Sequence, residues 1–190
     1  MANHMDTRVS VTGLTERGIS YLEKLFELPE GEYEVTTEQF LERLYGELPE
    51  DYDRSYITGK LGSKWMYGYM EYADGEEAEL SLTSAWSVPV SFLETLANQL
   101  AVVQGENPPV VYGTYLDEGY DPCGAFVYAA GYEDIEDVYG YNCEKEVDTD
   151  QIWEDDEYLE SIYESLAEAR DRMLSGYYQI QQELKEESNG

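Results

Sequence analysis

Four carboxylates, Asp156, Glu160, Glu164 and Glu168, recur every fourth residue. This spacing lines them along one face of a helix. Like charges so placed repel by a few tenths of a kcal/mol per pair, ~0.2–0.5, and a helix that needs only solubility interleaves lysines. Here the first bases are Arg170 and Arg172, and Glu168–Arg172 is the one obvious compensating pair. Between Glu154 and Asp171 stand eight acids and one base, net −7 over 18 residues. At a helical rise of about 1.5 Å per residue this is one net charge per roughly 4 Å. Duplex DNA carries one per about 1.7 Å, so one such helix reaches about half that density. A second acidic group, Glu133, Asp134, Glu136 and Asp137, is interleaved with tyrosines over 128–141. Tyrosine gives an interface large contact area for few torsions. The chemistry open to these residues is recognition of a cationic surface. The candidate contact set is Glu133, Asp134, Glu136, Asp137, Glu154, Asp156, Glu157, Glu160, Glu164 and Glu168.

The rest of the chain points the same way. Acids number 42 against 11 Lys plus Arg, net −31 over 190 residues, and no Lys or Arg occurs among the 80 residues from Trp65 to Glu144. Direct nucleic-acid binding needs Lys and Arg against phosphate, and an anionic membrane repels such a surface. A basic partner is favoured; adaptation to high salt is the competing explanation of the charge. Catalysis has little to stand on. There is one histidine, His4, and two cysteines, Cys123 and Cys143, so a His-based metal site or a Cys/His nucleophile is not expected. Asp148, Asp150 and Glu154 start like a calcium loop, but the sixth and twelfth positions are Trp153 and Leu159, where that loop needs Gly and Glu. No phosphate-cradling glycine loop or nucleophile elbow is present. No enzyme, no cofactor and no metal are expected. The opening Met1–Asp6 has no apolar leader region and no stretch approaches 18 apolar residues, which predicts a cytoplasmic chain that crosses no membrane.

The elements that must carry these residues follow from periodicity. Thr7–Thr12 alternates and ends at Gly13, a strand. Helices are predicted over Thr15–Leu28, Thr37–Leu48 and Pro89–Val103, the second opened by a Thr36/Gln39 capping box. Trp65–Tyr72 and Glu79–Ser84 flank Asp74-Gly75, a hairpin. Val110–Tyr115 and Ala125–Ala130 form a second hairpin. The order without the inserted helix and last strand is βαββαβ, which predicts an α+β, ferredoxin-like (split βαβ) antiparallel sheet with helices on one face, over residues 1–132. Trp65 and Trp86 are expected in its core. Residues 133–190 form an acidic loop, over Glu133–Asp150, and a helical segment, over Gln151–Lys185 with an interruption at Ser175-Gly176. In that segment Leu159, Ile162, Leu166, Ala169 and Met173 step by three and four, a seam that packs either on the chain's own sheet or on a second copy in a homodimer.

The segment Ala2-Asn3-His4, then Thr7-Arg8-Val9-Ser10-Val11-Thr12-Gly13, resembles the opening of the YubB-type proteins of plasmids and phages. So does Gly62-Ser63-Lys64-Trp65, with Leu61 in place of that family's first tryptophan. Thr83-Ser84-Ala85-Trp86-Ser87-Val88-Pro89 resembles the family's Thr-Ala-Trp-Ser-Pro-Pro, with an inserted serine and Val88 for a proline. The resemblance covers about residues 1–132 and implies a ferredoxin-like fold and a mobile-element origin, but no activity. Charge and resemblance together predict an anti-defence inhibitor, an acidic nucleic-acid mimic that blocks the DNA- or RNA-binding channel of a host CRISPR-type or restriction complex. The alternative is an acidic adapter that binds a basic partner without mimicking nucleic acid.

Overall fold

The structure, a computed structural model, describes residues 3–105, 107–119, 122–138 and 156–188, with side chains of the last segment described from Leu159 onward. Among them are β1 (His4–Thr12), α1 (Glu16–Leu25), α2 (Thr37–Tyr45), α3 (Arg54–Leu61), β2 (Met66–Asp74), β3 (Glu77–Ala85), α4 (Val90–Gln104), β4 (Val110–Asp117), β5 (Cys123–Ala129), β6 (Tyr132–Asp137) and α5 (Asp156–Ser188). The fold is α+β. One six-stranded sheet runs in the order β2-β3-β1-β4-β5-β6, and each neighbouring pair is antiparallel.

Local sequence sets most of these elements. The Thr36 hydroxyl accepts from the Gln39 amide while the Gln39 side chain accepts from the Thr36 amide, the reciprocal bonds that satisfy two donors at a helix start. Thr37 then bonds both the amide and the carbonyl of Met66, at 2.9 and 3.0 Å, which ties α2 to β2. The β2–β3 hairpin turns at Gly75, whose φ of 60° is costly for a residue with a Cβ.

Strand alternation divides the core in two. Val9, Val11, Leu80, Leu82, Val111, Phe126 and Tyr128 meet Leu22, Phe40, Phe92 and Leu96 of α1, α2 and α4. Phe40 packs edge to face on Phe26 and Phe92, with centroids 5.2 Å apart in each pair. Val110, Ala125, Val127 and Ala129 point the other way, onto Ala169, Met173 and Tyr177 of α5. Helices are expected on one face of the sheet, and α1–α4 do lie together on one face; the C-terminal helix α5 packs on the second, over β4 and β5.

Three expectations are corrected, and one helix was not foreseen. The run placed in an acidic loop is in part a strand: Tyr132–Asp137 pairs with Cys123–Ala129 as β6. An edge strand has one neighbour and tolerates charges that a central strand would not. The chain turns helical at α3, where Asp53 caps through Tyr56 at 2.9 Å. No interruption occurs at Ser175-Gly176, because α5 continues through both. Trp65 is half-buried, and Trp86 is 53% exposed with φ 68°. An L-residue in this left-handed region costs about 1–2 kcal/mol. The ring gains back part of this from the Lys64 ammonium, 5.1 Å from its centroid, an exposed contact worth about 0.5–1 kcal/mol. Trp86→Gly is accordingly expected to change unfolding stability by less than about 1 kcal/mol in a urea titration, where loss of a buried tryptophan costs about 3–5. A loss in that larger range would show that Trp86 is buried in solution.

Candidate functional site: the acidic face of the C-terminal helix

Apolar residues three and four apart fix how α5 lies. Ile162 and Leu166 pack with Leu116 and Cys123, and Ala169, Met173 and Tyr177 continue the line over β4 and β5. The seam is thus occupied by the chain's own sheet. The carboxylates of Glu160, Glu164 and Glu168 fall on the opposite side of the helix, and all three residues are exposed. Spaced four residues apart, they form a row with one charge every ~6 Å.

The two arginines of α5 do not relieve this row. Arg172 donates to Glu136 on β6 at 2.7 Å, and not to Glu168, its partner by helical spacing. Arg170 binds Asp171 at 2.8 Å. Neither guanidinium group pairs with Glu160, Glu164 or Glu168.

The β6 carboxylates do not form one group. Residues i and i+2 of a strand share a face, and the register sets Glu136 opposite Ala125 and Asp134 opposite Val127, on the α5 side. Glu133 and Asp137 sit opposite Tyr128 and Gly124, on the other face, where Asp137 accepts from the Tyr115 hydroxyl. Of the ten candidate residues, the structure brings Asp134 and Glu136 to the same sheet face as α5, neutralises Glu136, and turns Glu133 and Asp137 away. Asp156 and Glu157 lie in the first turn of α5 with side chains outside the described residues, and Glu154 lies outside them altogether. At the junction of β6 and α5, the Tyr132 and Tyr177 rings are in contact, tilted by 58° with centroids 5.0 Å apart. Burial raises the pKa of both, and the Asp134 carboxylate raises that of Tyr132 further, so both stay neutral phenols. Among the described residues, no group of three His, Cys, Asp or Glu side chains converges as a metal site. No helix among them is long and apolar enough to cross a membrane.

Among the described residues, no element covers the remainder of the second sheet face, and the sequence alone did not show it. Alternation points Trp65, Tyr67 and Tyr69 of the β2 column, Thr83 and Ser81 of β3, and His4, Asp6 and Arg8 of β1 to this side. A cavity of about 480 Å³ lies between Tyr69, Arg8 and Thr114 on the sheet and Tyr163 and Arg170 on α5. A second, of about 450 Å³, lies between Trp65, Tyr67, His4, Glu34 and Glu38. Glu34 and Thr83 line both, so the two form one trough with α5 as one wall. The Trp-x-Tyr-x-Tyr alternation at 65–69 was the local sign of it; the residues opposite come from other strands.

Comparison with family models, with curated proteins and with solved structures finds no match to this chain.

Proposed function

We propose that this chain is an anti-defence inhibitor of phage or plasmid origin that blocks the nucleic-acid channel of a host CRISPR-type or restriction complex. Its carboxylates stand in for phosphates against the channel's Lys and Arg. The single observation that carries this reading is the exposed, unrelieved row Glu160–Glu164–Glu168, held outward by a seam that leaves no other orientation for the helix. One charge every ~6 Å is sparser than a DNA strand's one per about 3.4 Å. The row therefore matches a subset of phosphate sites, and the net charge of −31 supplies the long-range attraction. The fold is read here as ferredoxin-like with two added strands and an acidic C-terminal helix. The sub-order β2-β3-β1-β4, with α1–α3 between β1 and β2 and α4 between β3 and β4, supports a split βαβ arrangement, and with it the resemblance to the YubB-type proteins.

An acidic adapter, dimeric or not, is the second reading. It is favoured by one observation: α5 runs on past Tyr177 with Ile180 and Leu184 uncovered, 41% and 54% exposed, an apolar continuation of the seam. Nucleic-acid competition separates the two. The partner captured from a bacterial lysate is loaded with its own DNA or RNA and titrated with the chain. A mimic displaces the nucleic acid, and its affinity falls steeply between about 50 and 200 mM salt. A ternary complex of partner, nucleic acid and chain would replace the mimic with the adapter.

A further inference from the structure

We propose that the cleft at the Trp65 end of the open sheet face receives an arginine side chain of a basic protein partner. The inference rests on the preceding reading only for the sign of the partner's charge.

Three features converge there. The first is an aromatic corner. The Trp65 ring has Tyr67 at 5.5 Å, tilted by 45°, and His4 at 5.3 Å, edge on at 86°. Rings so arranged offer a face to a cation. The second is paired carboxylates. Glu34 and Glu38 line the same cleft, and the backbone fixes both. Val35 exchanges two hydrogen bonds with Gly68, at 2.7 and 3.1 Å, which holds Glu34 beside β2. Glu38 sits in the capped first turn of α2 and accepts from Tyr52 at 3.5 Å. The third is volume. About 450 Å³ is more than a guanidinium needs, and leaves room for the segment that carries it.

The chain already uses this chemistry on itself. Lys60 lies over Tyr45 at 4.4 Å and Lys64 over Trp86 at 5.1 Å. Lys64 also lines the cleft, but its ammonium is drawn to Trp86. Arginine is favoured over lysine because its planar, weakly hydrated guanidinium stacks on a ring while its N–H groups reach carboxylates. A single-stranded nucleic acid also stacks on aromatic platforms, but here it would meet Glu34 and Glu38 in a field of net charge −31.

The test is an NMR titration of the full chain at about 0.15 M salt. The probes are a blocked Gly-Ser peptide carrying one arginine, its neutral citrulline counterpart and a single-stranded oligonucleotide. The arginine peptide is expected to shift the Trp65 indole resonance and to bind about tenfold tighter than the citrulline peptide, the scale of one partly desolvated cation–π contact with a carboxylate. Tyr67→Leu and Glu38→Gln should each remove most of that difference. Both residues are exposed, so neither change threatens the core. A variant with Glu160, Glu164 and Glu168 all changed to lysine should keep the peptide site, whatever happens to target inhibition. Equal binding of the two peptides, indifference to Tyr67→Leu and Glu38→Gln, loss of the peptide in the triple-lysine variant, or an oligonucleotide occupying the cleft would each overturn the proposal.

Discussion

Changing Glu160, Glu164 and Glu168 together to lysine is expected to weaken capture of the basic partner by about 100-fold or more. An exposed ion pair is worth about 0–1 kcal/mol, so Glu164→Ala alone should cost less than about fivefold. Reversal acts differently. Each site trades an attraction for a repulsion against the same cationic wall, and like charges pressed together in an interface cost more than a missing pair. At about 1 kcal/mol per site, three sites give about 3 kcal/mol, or two decades in affinity. The fold should not register the change. All three side chains are exposed, and the residues that dock the helix, Ile162, Leu166, Ala169 and Met173, stay in place. Repulsion within the row keeps its size when all three signs flip, and the surrounding carboxylates now attract it. Binding measured across a salt series, beside a thermal melt of the same sample, checks both halves. Unchanged capture with an unchanged melt would remove the α5 row from the function and leave the open trough as the place to look.

The row could be read from the sequence because a helix repeats locally. Four-residue spacing alone set Glu160, Glu164 and Glu168 together, and the three–four steps of Ile162, Leu166, Ala169 and Met173 set them opposite the seam. The capping box at Thr36 and Gln39 and the turn at Gly75 were legible for the same reason. The β6 quartet was not. Four acids in six residues hide the alternation of a strand, and only the pairing of Asp134 with Val127 and Glu133 with Tyr128 shows that they face apart. Helix α3 escaped because it buries only Ile57 and Leu61, too few apolar positions to set a period. The βαββαβ order predicts Trp86 in the core, yet Trp86 sits on a left-handed backbone and is exposed, and element order does not encode a single residue's φ. The trough was hidden for a topological reason. Trp65, Thr83 and His4 become neighbours only through the order β2-β3-β1, and Glu34 only through the Val35–Gly68 bridge.

Among the described glycines, Gly113→Ala is expected to be the most damaging single-methyl change, because it strikes the strand that carries both sides of the molecule. Gly113 pairs with Val9 on β1 and Phe126 on β5. A Cβ there would stand 1.9 Å from the Arg8 carbonyl oxygen and 2.9 Å from the Phe126 ring. Neither can yield cheaply. The carbonyl belongs to the central ladder, and the ring is fully buried against the α1–α4 core. Overpacking a core costs about 1–3 kcal/mol where side chains can shift, and a clash with backbone exceeds that range. A loss above about 3 kcal/mol is a large share of the ~5–15 kcal/mol that holds a typical domain. It should appear as a chain that melts far earlier or does not accumulate folded. Gly59→Ala supplies the contrast. Gly59 lies within α3 with nothing inside 4 Å of the added carbon, and alanine is the better helix former by about 1 kcal/mol. Gly59→Ala should therefore raise the melting temperature while Gly113→Ala collapses it. If the two variants unfold at similar temperatures, β1 and β4 do not approach as closely as described, and the floor of the trough and the platform under α5 would both have to be redrawn.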